Sequence, residues 1–325
     1  IFLNMRKEIE HALSLKIETD EKSSSGRCLF FPENMLSGKY RKLFDIEDVE
    51  FDEAFRVVTG GVGNELAKIN SLTSSSLLSL LVFYPLFNKN TKDSLTLSVN
   101  GNLISFTNCF FEIRNKVIRL PSSVDVVLQS EDKKTLLFLE SKFLEYEDTT
   151  TEATYGKGYY SLYSEYLRDY LTDITVASDN KGRTKLTSKT RIYIEGLKQS
   201  ISHLIGLVRG PKDETAEYYT KEYLKAYSKA YKGAKTLMYG TILFNPDKFD
   251  VDASPYINYA DLYTRIIGKH GGKIVEGIRK WCHANHKNDE GKEISILEHP
   301  LTYQNDIPPI YKERLPRKIR DFYQL

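Results

Sequence analysis

Cysteine is scarce in this chain, and its scarcity excludes two classes of protein. The three cysteines, Cys28, Cys109 and Cys282, lie far apart in the sequence. An odd number of widely spaced cysteines is suited neither to a disulfide framework nor to a cysteine-rich zinc site. Free thiols are typical of a reducing compartment, so we expect a cytoplasmic protein.

Long apolar runs are also missing. The longest, LLSLLVFYPLF at 77–87, is interrupted by Pro85 and is shorter than the roughly 20 residues that a membrane-spanning helix needs. The opening IFLNMRKEIEHALSL has no recognisable cleavage site, and its pattern predicts an amphipathic helix instead of a signal peptide. We therefore expect no membrane partner.

Neither sign of charge dominates, because the net charge is only +2. Residues 1–150 carry 18 basic and 22 acidic side chains, whereas the remainder carries 28 basic and 22 acidic ones. The basic second half is compatible with a polyanionic partner, but it lacks the strong excess that indicates nucleic-acid binding by itself. A chain of 325 residues can bury the core of one large domain or of two.

Helical and strand patterns alternate along the sequence. Apolar periodicity predicts helices at 5–16, 51–60, 63–87, 191–210 and 214–233. Alternating or continuous apolar residues predict strands at 94–100, 103–114, 124–128, 135–143 and 236–244. Asn100-Gly101 is a hairpin signal between the first two strands. The serine run at 74–76 is unusual for a helix interior, and we interpret it as a break or a ligand-facing segment.

The patterns divide the chain into three regions: a helical and loop region at 1–60, a core at 61–244 and a C-terminal extension at 245–325. Residues 145–190 form a polar, tyrosine-rich insertion, with a helix predicted at 159–171 and a lysine-rich loop at 177–190. The expected fold is α/β, with a central mixed β-sheet flanked by helices, a helical insertion and a C-terminal extension.

Charged residues interrupt the two most apolar strands. VDVVL contains Asp125, and TLLFLESKF contains Glu140 and Lys142. Residues two apart on a strand share a face, so Glu140 and Lys142 project together. Buried unpaired charge is costly, and we interpret the cluster as a site for a divalent metal and a water that hydrolyses phosphodiesters. The alternative is an exposed ion pair at the end of the sheet.

Asp125 followed by Glu140-x-Lys142 on consecutive strands resembles the PD-(D/E)xK nuclease superfamily. The segments GVGNELAKINSLTSSSLLSL, SVDVVL and FLESKFLEYE, with the helix and strand of 191–244, are most similar to restriction-endonuclease-like bacterial proteins. The proline that usually precedes the aspartate is replaced by Val124. The resemblance implies a restriction-endonuclease-like core and Mg²⁺-dependent cleavage of DNA, in bacterial restriction or phage defence.

Mg²⁺ prefers oxygen ligands, which Asp125, Glu140 and the backbone carbonyl of Ser141 can supply. A bound ion of this kind, with Mn²⁺ as an alternative, polarises the phosphate and lowers the pKa of a bound water. Lys142 stays protonated beside two carboxylates and stabilises the charge of the transition state. The resemblance adds Glu65 as a further ligand from the preceding helix, although a glutamate in a first helical turn also complements the helix dipole.

The resemblance also implies that Gln199 reaches the catalytic site from the helix at 191–210, where the alternative is a solvated helix face. We interpret His203 as a partly buried helix residue, and Glu112 and Glu145 as surface or strand-end residues.

DNA is the expected substrate and a homodimer the expected assembly, because such enzymes often cut both strands as dimers. The insertion is the expected carrier of target recognition. Two alternatives remain: a catalytically silent nuclease fold that binds DNA or a partner, and an RNase.

Overall fold

A computed structural model describes most of the chain. The described residues are 5–17, 31, 35–60, 69–87, 94–118, 121–212 and 220–325. The α-helices among them are α1 (Met5–Ile17), α2 (Ser37–Phe44), α3 (Glu50–Thr59), α4 (Ser75–Phe83), α5 (Ile194–Arg209), α6 (Lys221–Gly233), α7 (Ser254–Tyr263), α8 (Lys269–Ala284), α9 (Pro309–Lys312) and α10 (Arg317–Tyr323).

Strands form two sheets in the described chain. They are β1 (Leu95–Val99), β2 (Asn102–Asn115), β3 (Ser122–Ser130), β4 (Thr135–Lys142), β5 (Thr150–Lys157), β6 (Ile174–Ser178), β7 (Arg183–Ile192), β8 (Thr236–Leu243), β9 (Glu293–Ile296) and β10 (Leu301–Thr302). The central sheet has the order β1-β2-β3-β4-β8-β10, and β9 also pairs with β8. The smaller sheet has the order β5-β7-β6.

The central sheet is mixed, as expected for an α/β fold. Strands β1 to β4 form consecutive antiparallel pairs, whereas β8 lies parallel to β4 and to both β9 and β10. At the first turn, Asn100 and Gly101 have φ angles of 48° and 78°, which fit the predicted tight hairpin. A parallel pair needs a long crossover, and the segment between β4 and β8 supplies it with the small sheet, α5 and α6.

Helices cover both faces of the central sheet, and β4 shows this residue by residue. The Ser141 hydroxyl contacts the Ser75 carbonyl of α4 at 3.2 Å, whereas the preceding Glu140 contacts His203 of α5. Alternate residues of a strand point to opposite faces, so α4 and α5 lie on opposite sides of the sheet. Gly206 brings α5 close to β2, because a Cβ at this position would lie 2.7 Å from Cβ of Asn115.

The helix predicted in the insertion is present, but the insertion also contains a sheet that the sequence did not predict. Residues 160–170 are helical, as predicted for 159–171, with π geometry at Leu162–Leu167 and 3₁₀ geometry at Arg168–Tyr170. Strand β5 precedes this helix, and β6 and β7 follow it. The pattern of β7 explains the difference, because buried Thr184 and Leu186 alternate with more exposed neighbours. Period-two alternation with β-branched residues favours a strand, but the polar and basic residues of this segment obscured it, and most of the loop predicted at 177–190 is strand.

The serine run is a helix start and not a helix interior. Ser74 precedes α4 and its hydroxyl accepts a hydrogen bond from the Leu77 N–H at 3.2 Å. A serine in this position satisfies a donor that the helix itself leaves unpaired. Of the helix predicted over 63–87, α4 covers Ser75–Phe83 and a 3₁₀ turn follows at Tyr84–Leu86, whereas residues 63–68 lie outside the described chain.

Candidate active site

Strands β3 and β4 separate where the predicted cluster lies. Their ladder begins at Gln129 and Leu136 and ends with Val126 beside Leu139. Beyond this pair, the Ser141 N–H donates to Oδ2 of Asp125 at 2.6 Å. The Asp125 carboxylate thus replaces a backbone acceptor, which holds its side chain between the diverging strands.

Glu140 and Lys142 form a buried ion pair on one face of β4. Nζ of Lys142 donates to Oε1 of Glu140 at 2.6 Å, and the two residues are 5% and 4% exposed. The predicted shared face is confirmed, but the alternative of an exposed ion pair is wrong because both residues are almost fully buried. A buried charge pair is a weak source of stability, so its presence in the sheet needs another reason.

His203 completes this cluster and was missed by the sequence interpretation. It is 4% exposed, and its Nε2 lies 2.8 Å from Oε2 of Glu140. The contact is short but poorly aligned, since neither atom makes a directed hydrogen bond. On the other side of the ring, Nδ1 is in close contact with the Ser122 hydroxyl. The signal in the sequence was the spacing of Gln199 and His203, four residues apart on one helix face.

The surroundings shift the pKa values of the two carboxyl groups in opposite directions. Burial raises the pKa of Asp125 well above its ordinary value, and the negative charges of Glu140 and Glu112 raise it further. Burial alone would raise the pKa of Glu140 too, but Lys142 and His203 outweigh it and lower that pKa to about 2. Glu140 also raises the pKa of Lys142 despite its burial. Without a metal ion, the arrangement favours the charged forms of Glu140 and Lys142 and disfavours the charged form of Asp125.

Glu112 belongs to the surroundings of the site instead of the surface. It is 7% exposed, accepts a hydrogen bond from the Ser123 hydroxyl at 2.8 Å and has a φ of 53°. It lies between Phe111 and Ile113, which pair with the two neighbours of Asp125. A left-handed backbone is unusual for a residue that is neither glycine nor asparagine. Glu145 accepts from the Phe143 N–H at 2.7 Å just beyond β4, as expected for a strand-end residue.

A pocket of about 340 Å³ opens beside Glu140. Its wall includes Ser122, His203 and Gln199. Oε1 of Gln199 is buried and makes no hydrogen bond with a described residue. Gln199 thus lines the same pocket as Glu140, and its place in the catalytic site stays a prediction. Tyr155 of β5 also lines the pocket, so the small sheet borders the site.

The oxygen atoms of the site can be compared with the ligands that a metal ion requires. Within the described ranges, no three or more histidine, cysteine or acidic side chains are grouped around a common point, and Glu65 lies outside those ranges. Asp125 and Glu140 nevertheless provide two carboxylates, and Oε2 of Glu140 is a buried oxygen without a directed hydrogen bond. This set fits Mg²⁺, which is usually held by one or two carboxylates together with water and phosphate oxygens. The Ser141 carbonyl stays a predicted ligand.

Comparisons with known proteins add no assignment to this geometry. No protein-family model, curated protein or solved structure matches the chain. No helix in the described parts of the chain is long and apolar enough to cross a membrane.

Proposed function

We propose that the chain is a Mg²⁺-dependent endonuclease that hydrolyses DNA phosphodiester bonds, on a restriction-endonuclease-like core. The observation that best supports this proposal is that Asp125 lies beside the buried Glu140–Lys142 pair, where β3 and β4 separate. A charged cluster of this kind beside an open pocket is better explained by chemistry than by stability, because buried pairs contribute little to folding. A bacterial restriction or phage-defence role and a homodimer follow from the resemblance, and a cytoplasmic location follows from the few, widely spaced cysteines.

Each residue has a defined part in this proposal. Asp125 and Glu140 would hold the ion, which supplies a Lewis acid for the phosphate and a water of lowered pKa. Lys142, protonated beside Glu140, neutralises negative charge that develops on the phosphate. His203 fixes the Glu140 carboxylate, and the Gln199 amide orients a polar group in the pocket. Mn²⁺ fits the same oxygen ligands.

Plasmid cleavage with near-isosteric variants tests the proposal. Purified wild type should nick or linearise plasmid DNA with Mg²⁺ or Mn²⁺ and lose this activity in EDTA. Asp125→Asn, Glu140→Gln and Lys142→Met should each abolish cleavage. Glu131→Gln is the matched control, because Glu131 is an exposed carboxylate in the β3–β4 turn. Full cleavage by all three site variants would refute the assignment, and circular dichroism checks that each variant is folded.

A catalytically silent binding module is the second candidate. It is favoured by the contacts of both Glu140 oxygens with cationic or imidazole side chains, and by the lack of a third grouped ligand among the described residues. Calorimetry with Mg²⁺ separates the candidates, since the silent module should bind no ion. A panel of DNA and RNA substrates separates the endonuclease from an RNase.

A further inference from the structure

Helix α6 carries its positive charges on one side. Its lysines, Lys221, Lys225, Lys229 and Lys232, are all exposed. At about 100° per residue they fall within an arc of roughly 80° and span about 16 Å of the helix axis. We call these four residues the α6 lysine stripe. The opposite side of the helix is apolar, and its tyrosines are buried: Tyr223, Tyr227 and Tyr231.

The stripe is not neutralised by the rest of the described chain. None of its lysines forms an ion pair with a described residue, and Glu222 is the one acidic residue of the helix. Two basic side chains of the small sheet differ, because Lys185 pairs with Glu152 at 2.5 Å and Arg183 pairs with Asp179 at 2.7 Å. Among the described residues, α6 therefore aligns four exposed lysines without an ion-pair partner on one side of a single helix.

Helix stability does not explain the stripe. Lysines four residues apart repel one another, and a lysine in the first turn, such as Lys221, opposes the helix dipole. The C-terminal end of α6 already has a cation, since Nζ of Lys292 donates to the carbonyls of Lys232 and Ala234 at 2.9 and 2.6 Å. A group of charges that disfavours its own helix, with no compensating contact among the described residues, indicates a function.

Helix α6 is attached to the strand next to the candidate site. The Tyr223 hydroxyl accepts from the Phe111 N–H at 2.6 Å and donates to the Phe111 carbonyl at 2.9 Å. Phe111 precedes Glu112, and Asn115, which Tyr227 approaches, pairs with Ser122 of β3. The stripe thus lies on a helix fixed to the same part of β2 that supports the site.

We propose that the α6 lysine stripe binds the phosphate backbone of a DNA duplex outside the cleavage site. The inference deepens the proposed function and rests on it for the choice of DNA. Lysine is a sequence-independent phosphate contact, and a 16 Å span is about half of one duplex turn. A membrane surface fits less well, because an interfacial helix exposes apolar residues beside its basic ones and the tyrosines of α6 are buried.

Salt dependence of binding tests the stripe. Affinity for a fluorescent duplex is measured in EDTA, where cleavage is absent, at several KCl concentrations. The variant replaces all four stripe lysines by glutamine, a comparable helix former. Losing four phosphate contacts should reduce the slope of log K against log salt by about 3.6. Between 50 and 200 mM KCl, the wild type should lose roughly 150-fold more affinity than the variant.

The control removes the same net charge elsewhere, with Lys42, Lys248, Lys269 and Lys273 changed to glutamine. These lysines are exposed and lie outside α6. The control should keep a slope within about 1 of the wild type. Equal slopes for the two quadruple variants would overturn the proposal, as would loss of binding to phosphatidylserine vesicles with an unchanged DNA slope. A wild type that binds DNA through the stripe but never cleaves it would refute the proposed function alone.

Discussion

The chain uses positive charge in two opposite ways. Lys142 is buried and is held by Glu140 at 2.6 Å, and His203 contacts the other oxygen of the same carboxylate. The lysines of the α6 stripe are exposed and have no ion-pair partner in the described chain. At the candidate site, the charged side chains hold one another in place through direct contacts. On the α6 stripe, the lysines repel one another and remain accessible to a charged partner.

The difference follows from the dielectric environment. Two unit charges at contact distance interact far more strongly in a protein interior than in water, so removal of one buried partner leaves a large penalty on the other. Exposed lysines are hydrated and screened by salt, and their loss changes binding of a polyanion more than folding. Stability and salt dependence should therefore separate the two regions.

The largest expected effect is the loss of stability when the buried Glu140–Lys142 pair is broken. Glu140→Ala leaves Lys142 buried without a carboxylate, and we expect the free energy of unfolding to fall by about 3–5 kcal/mol. The double variant Glu140→Leu/Lys142→Met removes both charges and should recover most of this loss, while remaining inactive. Urea denaturation measures both. A double variant as unstable as the single one would show that the pair is not electrostatically coupled.

Asp125 gives the next test, because its pKa is raised by burial and by Glu140 and Glu112. The folded state keeps a proton that the unfolded chain releases near pH 4. The contribution of Asp125 to the free energy of unfolding should therefore fall as the pH rises from that value to the raised pKa, and then level off.

Asp125→Asn lacks this titration and can still accept from the Ser141 N–H. It should be more stable than the wild type at neutral pH in EDTA, by a margin that grows across the same pH window. Thermal melts at a series of pH values measure the margin. A constant difference from acid to neutral pH would contradict the raised pKa.

The sequence predicted the part of the site that depends on strand geometry. Period-two alternation fixes Glu140 and Lys142 on one face, and the short β3–β4 turn brings Asp125 alongside. Ser122 and His203 depend on how α5 packs across the sheet, which no local pattern encodes. The small sheet was missed for a related reason, because its strands are polar and half exposed, and hydrophobic periodicity is weak there.

Substitution of His203 should have a smaller effect, which concerns Mg²⁺ affinity. Groups that orient a metal ligand typically change metal affinity by about 10–100-fold when they are removed. His203→Ala should weaken Mg²⁺ binding by this factor, measured by calorimetry, whereas His203→Gln keeps an N–H donor and should retain most of the affinity. Ser122→Ala, which removes the contact to Nδ1, should lie between the two. Equal losses for alanine and glutamine would indicate a packing role.

The smallest expected change in stability comes from the exposed charges. Lys225→Gln removes one lysine of the α6 stripe and relieves repulsion from Lys221 and Lys229, so the free energy of unfolding should change by less than about 0.5 kcal/mol. The slope of DNA affinity against salt should still fall by about 0.9, the share of one phosphate contact. Lys273→Gln is the single-site control and should leave the slope unchanged. If Lys225→Gln instead destabilised the fold as Glu140→Ala does, α6 would be a structural helix whose charges are coupled to the core, and the contrast between the two regions would be lost.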